Sequence, residues 1–159
     1  MTRTAANLPS NARSAIADAL NQSLAETVVA TMLAQNFHWN VKGMAFGPLH
    51  ALFQEVYEDH FAAQDDIAER IRAIGMTSQA QLGEMLKRSK IKDHTEDASD
   101  TEMLEALADA QATLAATLAE AGELAAEHGD TLTEDLTVAR GQIHEKFAWM
   151  LRSHLERAA

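Results

Sequence analysis

Two histidines, His38 and His50, stand twelve residues apart in the stretch FHWNVKGMAFGPLHALFQEVYEDHFAAQDDIAERIRAIG, which runs from Phe37 to Gly75. Asp65 and Glu69 follow further along the same stretch. Imidazole with carboxylate is the ligand set of a first-row transition metal such as iron, manganese or zinc. The chain has 0 cysteines, which removes thiolate metal sites, disulfides and cysteine nucleophiles together. The chemistry open to this segment is metal chemistry through nitrogen and oxygen, provided the four side chains can meet.

The elements that must position them read as helices. Alanine and leucine dominate, β-branched residues are sparse, and only 5% of residues are aromatic against 47% hydrophobic. Pro9-Ser10-Asn11 looks like a helix start with Ser10 or Asn11 as N-cap. Ile16, Leu20, Leu24, Thr27, Val28 and Thr31 keep a three-and-four spacing, widened by Met32 and Leu33, and the first helix should reach Trp39 or Asn40. Lys42-Gly43 breaks it. A second helix should run from about Pro48 to Ile74, stopped by Gly75, with Arg72 near the negative end of its dipole. Leu82, Met85 and Leu86 suggest a short helix in the polar connection, before a charged loop through Lys92, Asp93, Glu96 and Asp97. Ser99 with Glu102, and Thr131 with Glu134, read as capping boxes that open the third and fourth long helices. Met103, Leu104, Leu107, Leu114, Leu118 and Leu124 stripe the third helix, which should end at His128-Gly129. Leu132, Leu136, Val138, Ile143, Phe147, Met150 and Leu151 stripe the fourth. The expected fold is all-α: a four-helix bundle over residues 10–159, with a short extra helix between helices two and three, behind a flexible tail at 1–9.

A bundle can hold a di-iron site in its own core, which needs Glu-x-x-His pairs on two helices. The residues three before the histidines are Gln35, Gly47, Tyr57, Ile91, Ala125, Gly141 and Leu151, none of them glutamate. The ordinary intrachain centre is therefore unsupported. His50 and Asp65 would also stand roughly 22 Å apart along one helix, too far to share a metal within one chain. They nevertheless share a face. With His50 at zero, Gln54, Glu58, Asp65 and Glu69 fall within about 0–100°, opposite the apolar stripe of Leu49, Leu52, Phe53, Val56, Ile67, Ile71 and Ile74. Two readings of that face stay open. It is a solvated surface, or it is an interface on which the same helix of a second subunit packs antiparallel and completes two equivalent sites.

The formal charge of −11 argues against a general nucleic-acid-binding surface, because phosphate neutralisation needs clustered Lys and Arg. Before Asp18 the only side-chain charges are Arg3 and Arg13, so a weakly cationic tail precedes an acidic body. An acidic body serves simple solubility or draws cations to its surface. No apolar run approaches the length of a membrane span, and the N-terminus lacks a signal-peptide core. The expectation is a soluble protein of the cytoplasm.

The run His38-Trp39-Asn40-Val41-x-Gly43, Phe46, Leu49-His50, Tyr57, Asp65, Ala68-Glu69-Arg70-Ile71 and Gly75 resembles the Dps family (DNA-binding proteins from starved cells), the dodecameric mini-ferritins. Met85-Leu86 is similar to that family's short connecting helix, and His144-Glu145-Lys146 through Trp149-Met150-Leu151-Arg152 to its last helix. The resemblance implies twelve subunits in a hollow shell that oxidises Fe(II), preferentially with hydrogen peroxide, and stores ferric mineral against oxidative stress. It implies a ferroxidase site with His38 and His50 from one chain and Asp65 and Glu69 from its two-fold partner. Trp39 would lie beside that site and capture oxidising equivalents. Asp130 and Asp135 match acidic positions lining the family's three-fold iron pores, with Glu134 and Glu145 as further candidates; the plain alternative for each is a capping or solvated carboxylate. Where the family has Asp or Glu four residues after His50, this chain has Gln54, a weaker ligand for a hard cation, so weaker iron binding and competition by zinc are expected. His60 falls within the apolar stripe and reads as a core histidine, whereas His128, His144 and His154 read as helix-end or surface residues. Some members compact DNA through lysine-rich tails. Here the residues before Asp18 carry two arginines and no lysine, so DNA binding and nucleoid association would be weak, short of avidity from twelve tails. A shell whose site has decayed through Gln54 is the remaining alternative.

Overall fold

The computed structural model describes residues 7–94 and 97–155; Glu96, the tail residues 1–6 and the final residues 156–159 lie outside the described residues. Five helices follow in order: α1 Ser10–Asn40, α2 Phe46–Ala73, α3 Leu82–Arg88, α4 Asp100–Glu127 and α5 Thr131–Ser153. Among the described residues there is no strand. The four long helices form the bundle, with α3 as the expected short helix laid against α1.

The helix ends show which local signals governed. The Ser99–Glu102 capping box forms at α4 as the sequence predicts, with both reciprocal bonds present. The other two cap assignments need correction. At α1 the cap position belongs to Pro9, whose extended backbone (φ −57°, ψ 150°) leaves Ser10 as the first helical residue and provides no side-chain cap. At α5 the cap is Asp130, whose carboxylate accepts from the Thr133 backbone N–H, so Thr131 already lies inside the helix. The cause is the turn before it. Gly129 takes the left-handed conformation (φ 73°), ends α4 sharply and leaves Asp130 one residue from the new helix. Gly75 (φ 83°) stops α2 in the same way, as expected.

The hydrocarbon core comes in two clusters along the bundle. Phe37, Leu49, Phe53, Leu107, Leu114 and Phe147 belong to one, and Ile16, Leu20, Ile67, Ile71, Ile74 and Met85 to the other. In the interval on α2 lies His60, fully buried as expected. His144 is fully buried as well, which overturns its reading as a surface or helix-end residue. The reason is the spacing of the helices. α4 packs closely on α5 and α1 on α2, but the α2 and α5 backbones approach one another only sparingly. Long polar side chains fill that gap. The Gln111 side-chain oxygen accepts from both imidazoles, at 3.1 Å from His60 Nε2 and 2.8 Å from His144 Nδ1. Arg140 grips Asp59 through both terminal nitrogens (3.0 and 2.7 Å) and reaches His144 Nε2 at 3.2 Å.

Burial pushes His60 down to about 4, with Arg140 adding to it against the opposing pull of Asp59. Burial, with repulsion from His60 and Arg140, pushes His144 down to about 2. Both folded-state values lie below the unfolded one of about 6.5, so the unfolded chain binds more protons between them. Their contribution is complete above that value and disappears as pH falls toward the folded ones. Urea unfolding between about pH 7.5 and 5 should therefore show a loss on the order of 2 kcal/mol per histidine. A midpoint that stays constant across this window would contradict the account.

Candidate metal centre

His38 lies near the end of α1 and His50 near the start of α2, and the short connection 41–45 folds the two ends against each other. The histidines lock reciprocally. His38 Nδ1 donates to the His50 carbonyl at 2.7 Å, and His50 Nδ1 donates to the His38 carbonyl at 2.8 Å. A carbonyl oxygen can only accept, so the proton of each neutral ring is on Nδ1 and the lone pair is left on Nε2. The rings stack at 3.7 Å between centroids, 18° from parallel. Phe46 stacks on the outer face of the pair against His50 (4.9 Å), and Tyr57 packs edge-on against His38 (5.3 Å). A backbone carbonyl on the other ring nitrogen is the support that metal-binding histidines characteristically have, because it fixes tautomer and orientation together. His38 is buried and His50 half-buried.

Asp65 and Glu69 lie further along α2, both exposed. Among the described residues no three His, Asp or Glu side chains converge to hold a metal. The chain thus brings His38 to His50 and does not bring Asp65 or Glu69 to either. Gln54 is half-buried, one turn after His50, and its amide nitrogen donates to Glu58 at 2.7 Å. Its amide oxygen is thereby the free end. The Trp39 ring, next in sequence to His38, is 61% exposed.

The polar face of α2 carries a residue that the sequence reading passed over. Phe61 falls at about 20° on the wheel that places His50 at zero, within the polar stripe and between His50 and Gln54. It is 71% exposed. Leu82, Leu86 and Met32 are exposed beside it, and together with Asp65 these residues line two adjoining grooves on the α1–α2–α3 surface. The signal was available as a lone aromatic at a polar position, eleven residues after His50. Patches of this kind mark contact surfaces rather than solvated ones.

The acidic residues at the start of α5 separate into two kinds. Asp130 is fully buried, with one carboxylate oxygen on Arg70 (2.6 Å) and the other on the Thr133 hydroxyl (2.5 Å). Of the two readings open for Asp130, this geometry is that of the capping carboxylate, spent on an internal ion pair and a helix N-terminus. Asp135 and Glu145 are exposed and Glu134 is half-exposed.

A ferritin-like domain family matches residues 17–159. The DNA protection during starvation protein of Brevibacillus brevis is 36% identical over 141 residues, spanning 89% of this chain and 95% of that protein. General stress protein 20U of Bacillus subtilis is 33% identical over 137 residues, spanning 86% and 94%. The crystal structure of Dps from Staphylococcus aureus aligns with a TM-score of 0.87 at 34% identity, covering 90% of this chain and 96% of that one. That of the Vibrio cholerae O1 Dps protein, described as a member of a broad superfamily of ferritin-like diiron-carboxylate proteins, aligns at 0.91 with 32% identity over 98% of each. The family match and these likenesses agree with the helix order, and the chain belongs to the Dps family of ferritin-like proteins.

Proposed function

We propose that this protein is an iron-storing mini-ferritin that oxidises Fe(II) with hydrogen peroxide at sites shared between two-fold-related subunits of a dodecameric shell in the cytoplasm. The observation that carries the reading is the His38–His50 pair, two imidazoles with fixed Nε2 lone pairs that no carboxylate among the described residues joins to make a group of three. In this reading Asp65 and Glu69 of the partner complete the ligand set, and Gln54 adds a neutral, weak donor. Phe61 supports the interface over the solvated alternative, because its exposed ring and the flanking grooves offer apolar surface to an opposing α2.

The reaction consumes two ferrous ions and one peroxide with two protons, giving two ferric ions and two waters. Each iron gives up one electron, and the O–O bond breaks as the pair is accepted. The protein's share is to bind iron in a fixed geometry and to keep Fe(II) and peroxide from making hydroxyl radical. Trp39, exposed next to His38, is placed to take up stray oxidising equivalents. The charge of −11 favours cation entry, with Asp135 and Glu134, joined by Glu145, as the acidic approach at three-fold contacts. Zinc competes for the same nitrogen and oxygen donors. DNA compaction is the weaker reading. The same charge opposes it, and Arg13 lies over the Gly75 turn, where a Cβ added to Gly75 would meet its guanidinium at 3.2 Å, instead of extending the cationic tail. No described helix is long and apolar enough to cross a membrane.

Sharing of the site can be tested by complementation. A chain lacking His38 and His50 and a chain lacking Asp65 and Glu69 should each be inactive with Fe(II) and peroxide. Refolded together, they should regain about a quarter of wild-type activity, since half the dimers are mixed and each mixed dimer holds one intact site of two. Zero recovery with normal co-assembly rules out sharing, and a wild type that neither binds iron nor speeds its oxidation rules out the ferroxidase.

Phe61→Glu should dismantle the shell. Native mass spectrometry should then find species far below the roughly 208 kDa of twelve 17.3 kDa chains. An intact shell in this variant would remove Phe61 from the interface.

Gln54→Asp should raise anaerobic Fe(II) binding from about one to about two ions per site. An unchanged stoichiometry would mean that the missing carboxylate was not limiting.

A further inference from the structure

The sharpest unexplained construction lies behind the ligand face, where the last turn of α2 meets the first turn of α5. Arg70 follows Glu69 directly and points about 100° away from it around the helix, toward α5. There it enters a closed ring of three side chains. Its Nη2 donates to Asp130 Oδ1 at 2.6 Å and its Nε to Thr133 Oγ1 at 2.8 Å. The Thr133 hydroxyl in turn donates to Asp130 Oδ2 at 2.5 Å, and the Thr133 backbone N–H reaches Asp130 Oδ1 at 3.3 Å. Asp130 and Thr133 are fully buried, and the Arg70 side chain is 13% exposed.

Two features set this ring apart from an ordinary ion pair. The Thr133 hydroxyl accepts from one member and donates to the other, so a single oxygen closes the circuit. The guanidinium also presents its donors in a rigid fork, so closing the ring fixes the plane and direction of the Arg70 side chain. A lysine could reach one member but could not hold both at the same angle.

Glu69, by contrast, makes no side-chain hydrogen bond or ion pair among the described residues, so only its backbone holds it in place. Toward α1 that backbone is held by the buried Ile67, Ile71 and Ile74, which leave its α5 side to be fixed. α2 has few close approaches to α5 that could restrain this end by packing. We infer that Arg70, through Thr133 and Asp130, is a positioning residue for the Glu69 carboxylate: the ring clamps the last turn of α2 so that Glu69 is held ready for a metal whose other ligands come from a different chain. The inference rests on the shared-site reading above. It assigns the buried Asp130 a part in the site from a distance, in place of a pore role.

Co(II) serves as a probe that reports coordination through its visible d–d bands without turning over. Wild type, Thr133→Val, Thr133→Ser and Arg70→Lys are titrated as full-length assembled protein, with His50→Ala as the metal-site control. Thr133→Val keeps the side chain's shape and removes the hydroxyl, so Co(II) affinity should fall about tenfold and the band intensities should change. Thr133→Ser restores the hydroxyl and should return affinity to within about twofold of wild type together with its spectrum. Arg70→Lys should follow Thr133→Val, and it decides the matter if Thr133→Val does not assemble. Wild-type affinity and spectrum in an assembled Thr133→Val or Arg70→Lys shell overturn the positioning role alone. A wild type that takes up no Co(II), or takes it up as well as His50→Ala does, overturns the shared site and this inference together.

Discussion

The rise of an α-helix, about 1.5 Å per residue, is the constraint on which everything else here depends. α2 is one unbroken helix from Phe46 to Ala73, so it holds His50 near one end and Glu69 near the other with no means of bending them together. A metal site using both ends must be assembled from two copies. The same straightness makes such assembly exact, because an antiparallel pair of identical helices brings each beginning beside the other's end. The chain invests its local order accordingly. The His38–His50 pair is complete within one chain, with its tautomers set by carbonyls and its rings flanked by Phe46 and Tyr57.

Holding α2 straight and in register is the task of its other face. Toward α1 this is hydrocarbon packing. Toward α5 the backbones stay apart, and the span is crossed by Asp59 to Arg140, His60 and His144 to Gln111, and Arg70 to Asp130 and Thr133. Buried polar contacts of this kind add little net stability compared with hydrocarbon. They are particular about partner and angle, though, and a one-residue slip of α2 against α5 would break all of them at once. Register along α2 is the quantity a two-chain metal site most needs. Stability is given up for it at low pH, where the two core imidazoles oppose the fold.

Most of the fold was legible because it follows from periodicity and punctuation. The apolar stripe of α2, the Gly75 stop, the short helix at Leu82 and the Ser99–Glu102 box are all local signals, and all appear as expected. The misreading of His144, the open reading of Asp130 and the silence on Phe61 share one cause. Asp130, His144 and Phe61 are residues whose type suggests one environment and whose neighbours from distant sequence impose another. Asp130 looks like a surface acid until Arg70, sixty residues earlier, arrives beside it. His144 looks polar and exposed until Gln111 and Arg140 enclose it. Phe61 is the reverse case, an aromatic that finds no core and stays at the surface. That His38 and His50 could pair was legible in residue type and spacing, but their reciprocal locking was not, since it depends on how a five-residue connection returns the chain on itself.

Gln54 acquires a second meaning from its surroundings. In the proposed dimer the stripe carrying Glu58, Asp65 and Glu69 faces its own copy, so acids confront acids across a surface that partly excludes water. Like charges destabilise such a contact unless cations lie between them. A carboxylate at position 54 would strengthen the ligand set but add one more negative charge per chain to that confrontation. The amide avoids the added charge, and its N–H donates to Glu58, supporting a carboxylate that would otherwise stand against its copy without a donor. Weaker metal binding and easier assembly are then two consequences of one substitution. An assembly carrying an aspartate there should depend more on bound cations to hold together than the natural chain does.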